Sequence, residues 1–215
     1  MLGSIVHATV QPRFDMFFEG WAGNVYQLNN WEGASGAVVF LADAAVGAFY
    51  DVHSRYPTAW LLGNQGFFLR GMPADLRAIV ERMVFSYLRR EVDGRVAPVT
   101  TAVFWSAGET LAAAVPWEEF MEEGGHILRT HLLDRAAALA EWAEGYGMTA
   151  DEVAFAEHVF ERKQGAKSAW LDLTEDEARW LEARAAKPGG MKQCRKSFAE
   201  IGILVPCMEH GMGRP

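Results

Sequence analysis

The stretch Gly36–Arg55, GAVVFLADAAVGAFYDVHSR, constrains this chain more than any other. Its runs Ala37–Leu41 and Val46–Asp51 are too short for helices, and the small turn Ala42-Asp43-Ala44-Ala45 separates them. Together they read as a hairpin of two strands. The first run is wholly apolar, which fits a strand buried on both faces. The second alternates, with Val46, Ala48 and Tyr50 on one face and Gly47, Phe49 and Asp51 on the other. A hairpin alone does not hold in water, so further strands and a covering helix must exist elsewhere in the chain.

The helix is clearest at Pro73–Glu91. Proline suits a first helical position, Asp75 favours the helix dipole, and Leu76, Ile79, Val80, Met83, Val84, Tyr87 and Leu88 form one apolar face. A second hairpin is predicted from Val99–Trp105 and Thr110–Val115, around the turn Ser106-Ala107-Gly108-Glu109. Other strands are expected at Ser4–Gln11, ended by Pro12, at Asn24–Leu28 and at Phe67–Leu69. Phe14–Glu19 reads as a short turn of helix, and Thr58–Arg70 as a glycine-punctuated loop able to wall a pocket. Trp117–Glu123 reads as a short helix stopped by Gly124-Gly125. His126–Leu133 is expected to be a strand, with a continuing helix as the alternative.

From Asp134 onwards the pattern is helical. Asp134 is a good N-cap for Arg135–Glu144, and Thr149-x-x-Glu152 and Thr174-x-x-Glu177 are capping boxes. A last helix is expected over Lys192–Ile201, with an uncapped tail beyond Pro206. The fold class predicted is α+β: one mostly antiparallel sheet of five or more strands, the packed helix at 73–91, and a helical C-terminal extension. The polar connection Gln164–Ser168 places the expected boundary between an α+β domain at 1–163 and an extension at 164–215.

Half of the 215 residues are apolar, enough for a sizeable core. No stretch of about 18 residues is apolar and uncharged enough to span a bilayer. The start, MLGSIVHATVQPRF, lacks the basic and apolar regions of a signal peptide. The two cysteines are too few for a secreted disulfide scaffold. A cytoplasmic protein without membrane association is therefore expected.

The net charge of −8 is uneven. Residues 109–161 carry 12 acidic and 2 basic side chains, whereas 162–215 carry 7 acidic and 10 basic. An acidic centre repels phosphate, which argues against nucleic acid, and it suits a basic protein surface. The plainer alternative is that the solvent faces of the helices are acidic.

The densest group of chemically capable side chains is Asp51-x-His53-x-Arg55. On a continuing strand the carboxylate and imidazole would share a face, where Asp51 could fix the His53 tautomer and Arg55 could hold an anion. The alternative is a strand end turning polar as it meets water. There is no G-x-S-x-G, G-x-G-x-x-G, phosphate-loop or H-E-x-x-H pattern, and the basic loop Lys187–Lys192 lacks the preceding apolar strand of a phosphate loop. His126 and His131 fall on opposite faces of a strand. Cys194, Cys207 and His210 lack the closely spaced first pair of a zinc site. No metal and no cofactor are predicted.

Two functional readings follow. The leading one is a bacterial-type cytosolic protein-binding module, immunity-like or otherwise the acidic partner of a basic protein. Glu118, Glu119, Glu122, Glu123, Trp117 and Trp60 would be its contact residues. The competing reading is a small-molecule hydrolase or ligand-binding protein, with His53 as base and a pocket where Asp51, His53 and Arg55 meet the 58–70 loop. A homodimer is compatible with either.

Overall fold

In a computed structural model of the protein, the residues described are 1–13, 19–92, 94–107, 109–186 and 189–207. The chain divides into two compact units. One comprises Met1–Phe17 with Leu133–Pro215, and the other is Phe18–Leu132. In chain order the elements begin with α1 (Leu2–Val10), β1 (Glu19–Ala22), β2 (Val25–Asn29), β3 (Ala34–Phe40) and β4 (Ala44–Asp51). Next come α2 (Thr58–Asn64), α3 (Ala74–Arg82), β5 (Arg89–Val92), β6 (Arg95–Pro98), β7 (Ala102–Ala107), β8 (Thr110–Ala113) and α4 (Trp117–Glu122). The chain continues through α5 (Arg135–Tyr146), α6 (Ala150–Gly165), β9 (Leu171–Asp172), α7 (Glu175–Glu182), α8 (Gly190–Glu200) and β10 (Ile203–Leu204). Tighter 3₁₀ turns occupy Gln65–Leu69, Val84–Leu88 and Gly125–Leu132. No helix among the described residues is long and apolar enough to cross a membrane.

The Phe18–Leu132 unit is built on a six-stranded sheet in the order β1-β2-β3-β4-β7-β8, every pair antiparallel. The expected alternation of β4 holds. Val46 and Ala48 join a core with Val25, Val39, Trp105 and the apolar face of α3, whereas Phe49 joins Tyr26, Leu28, Val38, Phe104, Phe120 and Leu128 on the other face. Each face of the sheet is thus covered by its own helical layer, as a sheet apolar on both sides requires. The β2–β3 turn is braced by Asn29 and Asn30, whose Oδ1 atoms accept from the N–H groups of Trp31, Glu32 and Ala34 at 2.8–2.9 Å.

The other unit is mainly helical, and its capping was legible. Asp134 Oδ1 accepts from the N–H groups of Ala136 and Ala137 at 3.0 Å. Thr149 with Glu152, and Thr174 with Glu177, form the two expected capping boxes. Its core gathers Ile5, Val6, Leu139, Val159, Leu181 and Phe198, and Phe155 stacks on Trp180 at 4.4 Å.

Several elements differ from expectation. Ser4–Gln11 is the helix α1 and not a strand. It packs on α6 and α8 and is buried on every side, Ser4, His7 and Thr9 included, so its alternation of Ile5, His7 and Thr9 with Val6, Ala8 and Val10 reads equally well as a buried strand. The helix expected over 73–91 stops at Arg82, where the β-branched and aromatic run Val84-Phe85-Ser86-Tyr87 tightens into a 3₁₀ turn before β5. Thr58–Arg70 is helical throughout α2 and the turn after it, so the strand at Phe67–Leu69 is absent. His126–Leu133 is a 3₁₀ segment and not a strand. The helix expected at 14–19 lies outside the described residues up to Glu19, which opens β1, and most of the tail beyond Pro206 lies outside them too. The boundary expected at 163/164 falls within α6, which crosses it without a break.

Candidate functional site

Asp51 closes β4 and is buried. Its Oδ1 accepts the backbone N–H of His53 at 2.8 Å, and its own N–H donates to Thr101 Oγ1 at 3.1 Å. The carboxylate thereby turns the chain at Val52-His53, and the shared strand face ends there. The His53 ring is exposed, with Nε2 3.1 Å from the Glu32 carbonyl oxygen. The imidazole nearest Asp51 is that of His126, with Nδ1 3.8 Å from Oδ2.

Arg55 faces α4. Its Nη2 lies 2.6 Å from Glu119 Oε1 and its Nε lies 3.1 Å from Glu123 Oε1. Glu123 Oε2 also accepts from Ser54 Oγ at 2.5 Å and from the Arg55 backbone N–H at 3.0 Å, and the Tyr56 hydroxyl donates to Glu119. Hydrogen bonds from Arg55 and then Tyr56 hold the Glu119 carboxyl below its ordinary value. Burial, then the bond to Glu119, pushes the Tyr56 phenol up. The cluster fastens the 52–56 loop to α4.

Of the four expected docking carboxylates, Glu119 and Glu123 are committed to Arg55, while Glu118 and Glu122 are exposed on one face of α4. The acidic block is also divided between the units. Residues 109–132 hold 5 acidic and 1 basic side chains, and 133–161 hold 7 and 1. Trp60 stacks on Tyr56 at 5.3 Å and packs on the core. Trp117 stacks on Phe120 at 4.6 Å and stays partly exposed. Asp51, His53, Arg55 and the 58–70 segment enclose none of the cavity described next.

That cavity, of about 220 Å³, lies on the other side of the sheet layer from α3 and is walled by Tyr26, Val38, Phe40, Ala45, Phe104, Leu111, Trp117, Leu128, His131 and Leu132. Its floor is two rows of the sheet. One runs Tyr26–Val38–Gly47–Phe104 and the next Phe40–Ala45–Ser106–Leu111. The depression exists because β4 contributes only Ala45 and Gly47 to these two rows, Phe49 lying further along the strand. A Cβ on Gly47 would stand 2.5 Å from the Phe104 ring, so glycine lets that ring lie across the strand. Opposite the floor, the three-residue period of the 3₁₀ segment sets Leu128 and His131 one above the other.

The cavity surface is almost wholly apolar, and Tyr26 and His131 are the polar side chains among the described lining residues. The Tyr26 hydroxyl lies 2.8 Å from His131 Nε2 and donates to the carboxylate of Glu19, whose Oε2 is 3.2 Å from the same Nε2. Glu19 and Tyr26 are both buried and His131 is half-buried. Glu19 pairs with Leu28 across the β1–β2 ladder, which brings it diagonally beside Tyr26. A phenol, a carboxylate and an imidazole in mutual contact beside apolar walls can relay a proton or orient one polar group of a ligand. Sequence reasoning missed this trio. Its members are 7, 105 and 112 positions apart, and the strand expected at 126–133 turned His131 into an isolated residue.

Among the described residues no group of three or more His, Cys, Asp or Glu side chains could hold a metal ion. Cys194 is buried and Cys207 exposed, and His210 lies outside the described residues. Comparison with known proteins gives no match to this chain, neither to a family model, nor to a curated protein, nor to a solved structure.

Proposed function

We propose that the Phe18–Leu132 unit receives a small, mostly apolar molecule carrying one polar group. The observation that carries this reading is the 220 Å³ apolar cavity whose two polar lining side chains, Tyr26 and His131, are joined to each other and to Glu19. Pockets for small molecules have this composition, with apolar walls and a few convergent polar groups. A cavity of about 150 Å³ holds benzene, so this one has room for a single ring with a short substituent.

The test is calorimetric titration of single-ring ketones, alcohols and carboxylates into the wild type and into Ala45→Phe, which fills the floor. Saturable binding to the wild type that disappears in Ala45→Phe supports the reading. Equal heats in both would end it. A second reading, contact with a basic protein, has support from Glu118 and Glu122, exposed four residues apart beside Trp117. Half of the expected carboxylates are occupied by Arg55, so it stands behind the first.

A further inference from the structure

We propose that Glu19, Tyr26 and His131 form a proton-transfer site that interconverts the keto and enol forms of a small aryl or alkyl ketone bound in the cavity. This rests on the ligand reading above. The lining limits the chemistry. Besides Tyr26 and His131, the described residues along the wall carry aliphatic, phenylalanine or tryptophan side chains. No cysteine is among the described lining residues, and Ser106 in the floor row has its Oγ engaged by the Ala45 N–H at 2.9 Å, so proton movement is the reaction the two titratable groups of the wall can carry out.

The hydrogen bonds are compatible with one starting arrangement of protons. The Tyr26 hydroxyl has one proton and donates it to Glu19. In its Nε2–H tautomer His131 faces two acceptors, the phenol oxygen at 2.8 Å and the carboxylate at 3.2 Å. As the Tyr26 oxygen takes a proton from the carbon next to the ketone, its own proton moves along the existing bond to Glu19. The C–H electron pair becomes the carbon–carbon double bond, and the carbonyl π pair settles on oxygen. The His131 Nε2–H turns from Tyr26 to that oxygen and steadies its charge. The proton then returns from Glu19 through Tyr26, to oxygen to give the enol or to carbon to restore the ketone. One proton leaves and one comes back, so no further reactant is needed. Tyr26 and His131 are the catalytic residues. Glu19 acts through Tyr26 as a positioning residue and proton store.

Phenylacetone in D₂O with the full chain is the direct probe, followed by ¹H NMR. Saturation transfer reports binding, and loss of the α-proton signals reports proton transfer in the same sample. The expected result is binding together with deuterium uptake at least about 100-fold above buffer, the usual contribution of a positioned acid or base. Tyr26→Phe and Glu19→Gln should still bind phenylacetone while uptake falls to the buffer rate. Bound phenylacetone that exchanges at the buffer rate in the wild type would overturn the proton-transfer site and leave the cavity reading standing. Absence of saturation transfer would overturn both. Full uptake in Tyr26→Phe would overturn the assignment of the base.

Discussion

The phenol oxygen of Tyr26 lies 2.8 Å from Nε2 of His131, a residue 105 positions further along the chain. The first sits on β2 and the second on the 3₁₀ segment that covers the same face of the sheet. Their contact, with Glu19 beside it, places a polar corner in a cavity otherwise walled by apolar side chains. The ligand and proton-transfer proposals both start from that corner.

Filling the floor should abolish binding without unfolding the unit. Ala45 is only partly buried and its neighbours across the sheet are Phe40 and Ser106, so a phenylalanine there can enter the cavity with little strain elsewhere. Ala45→Phe is expected to keep the wild-type circular dichroism spectrum and to lose ligand heats entirely. A stability change within about 1.5 kcal/mol, as for tolerated changes of packing, is expected in urea.

Removing the Tyr26 hydroxyl strips one partner from a buried carboxylate and from an imidazole. Tyr26→Phe should therefore lower the stability of the unit by about 1–3 kcal/mol, the usual cost of leaving a buried polar group short of a partner. Urea unfolding with an unchanged slope would register this. A neutral result would mean that the hydroxyl contributes nothing to holding Glu19 in place.

The knot at Arg55 predicts a pH dependence. Glu119 is held below its ordinary value of 4.5, first by the Arg55 hydrogen bond and then by Tyr56. Its contribution is complete above pH 4.5 and is lost as the pH falls through the lower folded value. Tyr56 is shifted the other way by burial, so its contribution is complete below pH 10 and is lost above it. Arg55→Met should lower stability at pH 7 and flatten the acid limb below pH 4.5. Denaturant midpoints across pH 3 to 7 show both effects, and an acid limb as steep as that of the wild type contradicts the assignment.

How much of this was legible in the sequence depended on whether the signal was local. The β3–β4 hairpin, its alternation, and the caps at Asp134, Thr149 and Thr174 were readable because each depends on residues within a few positions of one another. α1 was not, because Ile5, His7 and Thr9 alternate with Val6, Ala8 and Val10 as in a strand, and burial on all sides leaves its polar residues off any exposed face. The end of α3 at Arg82 was hidden because its apolar face continues through Val84, Phe85 and Leu88 in a different helix type. At the site, the local motif Asp51-x-His53 drew attention, yet the Asp51 carboxylate accepts the His53 backbone N–H to make a turn. Glu19, Tyr26 and His131 meet only through the sheet ladder and the 3₁₀ turn, and nothing near any one of them in sequence points to the others.

The two thiols should differ sharply. Burial pushes the Cys194 thiol up to about 12, while Cys207 is exposed. One equivalent of a thiol reagent should react with the native protein at pH 8 and two after unfolding in urea. Two fast equivalents in the native state would contradict the packing around Cys194.

The most direct test of the central claim is a ¹H–¹⁵N and methyl NMR titration of the protein with phenylacetone. Saturable shifts concentrated at Tyr26, Val38, Ala45, Phe104, Leu128 and His131, and absent in Ala45→Phe, are predicted. Shifts scattered over the surface, or centred on His53 and Arg55 with the cavity residues unmoved, would contradict it.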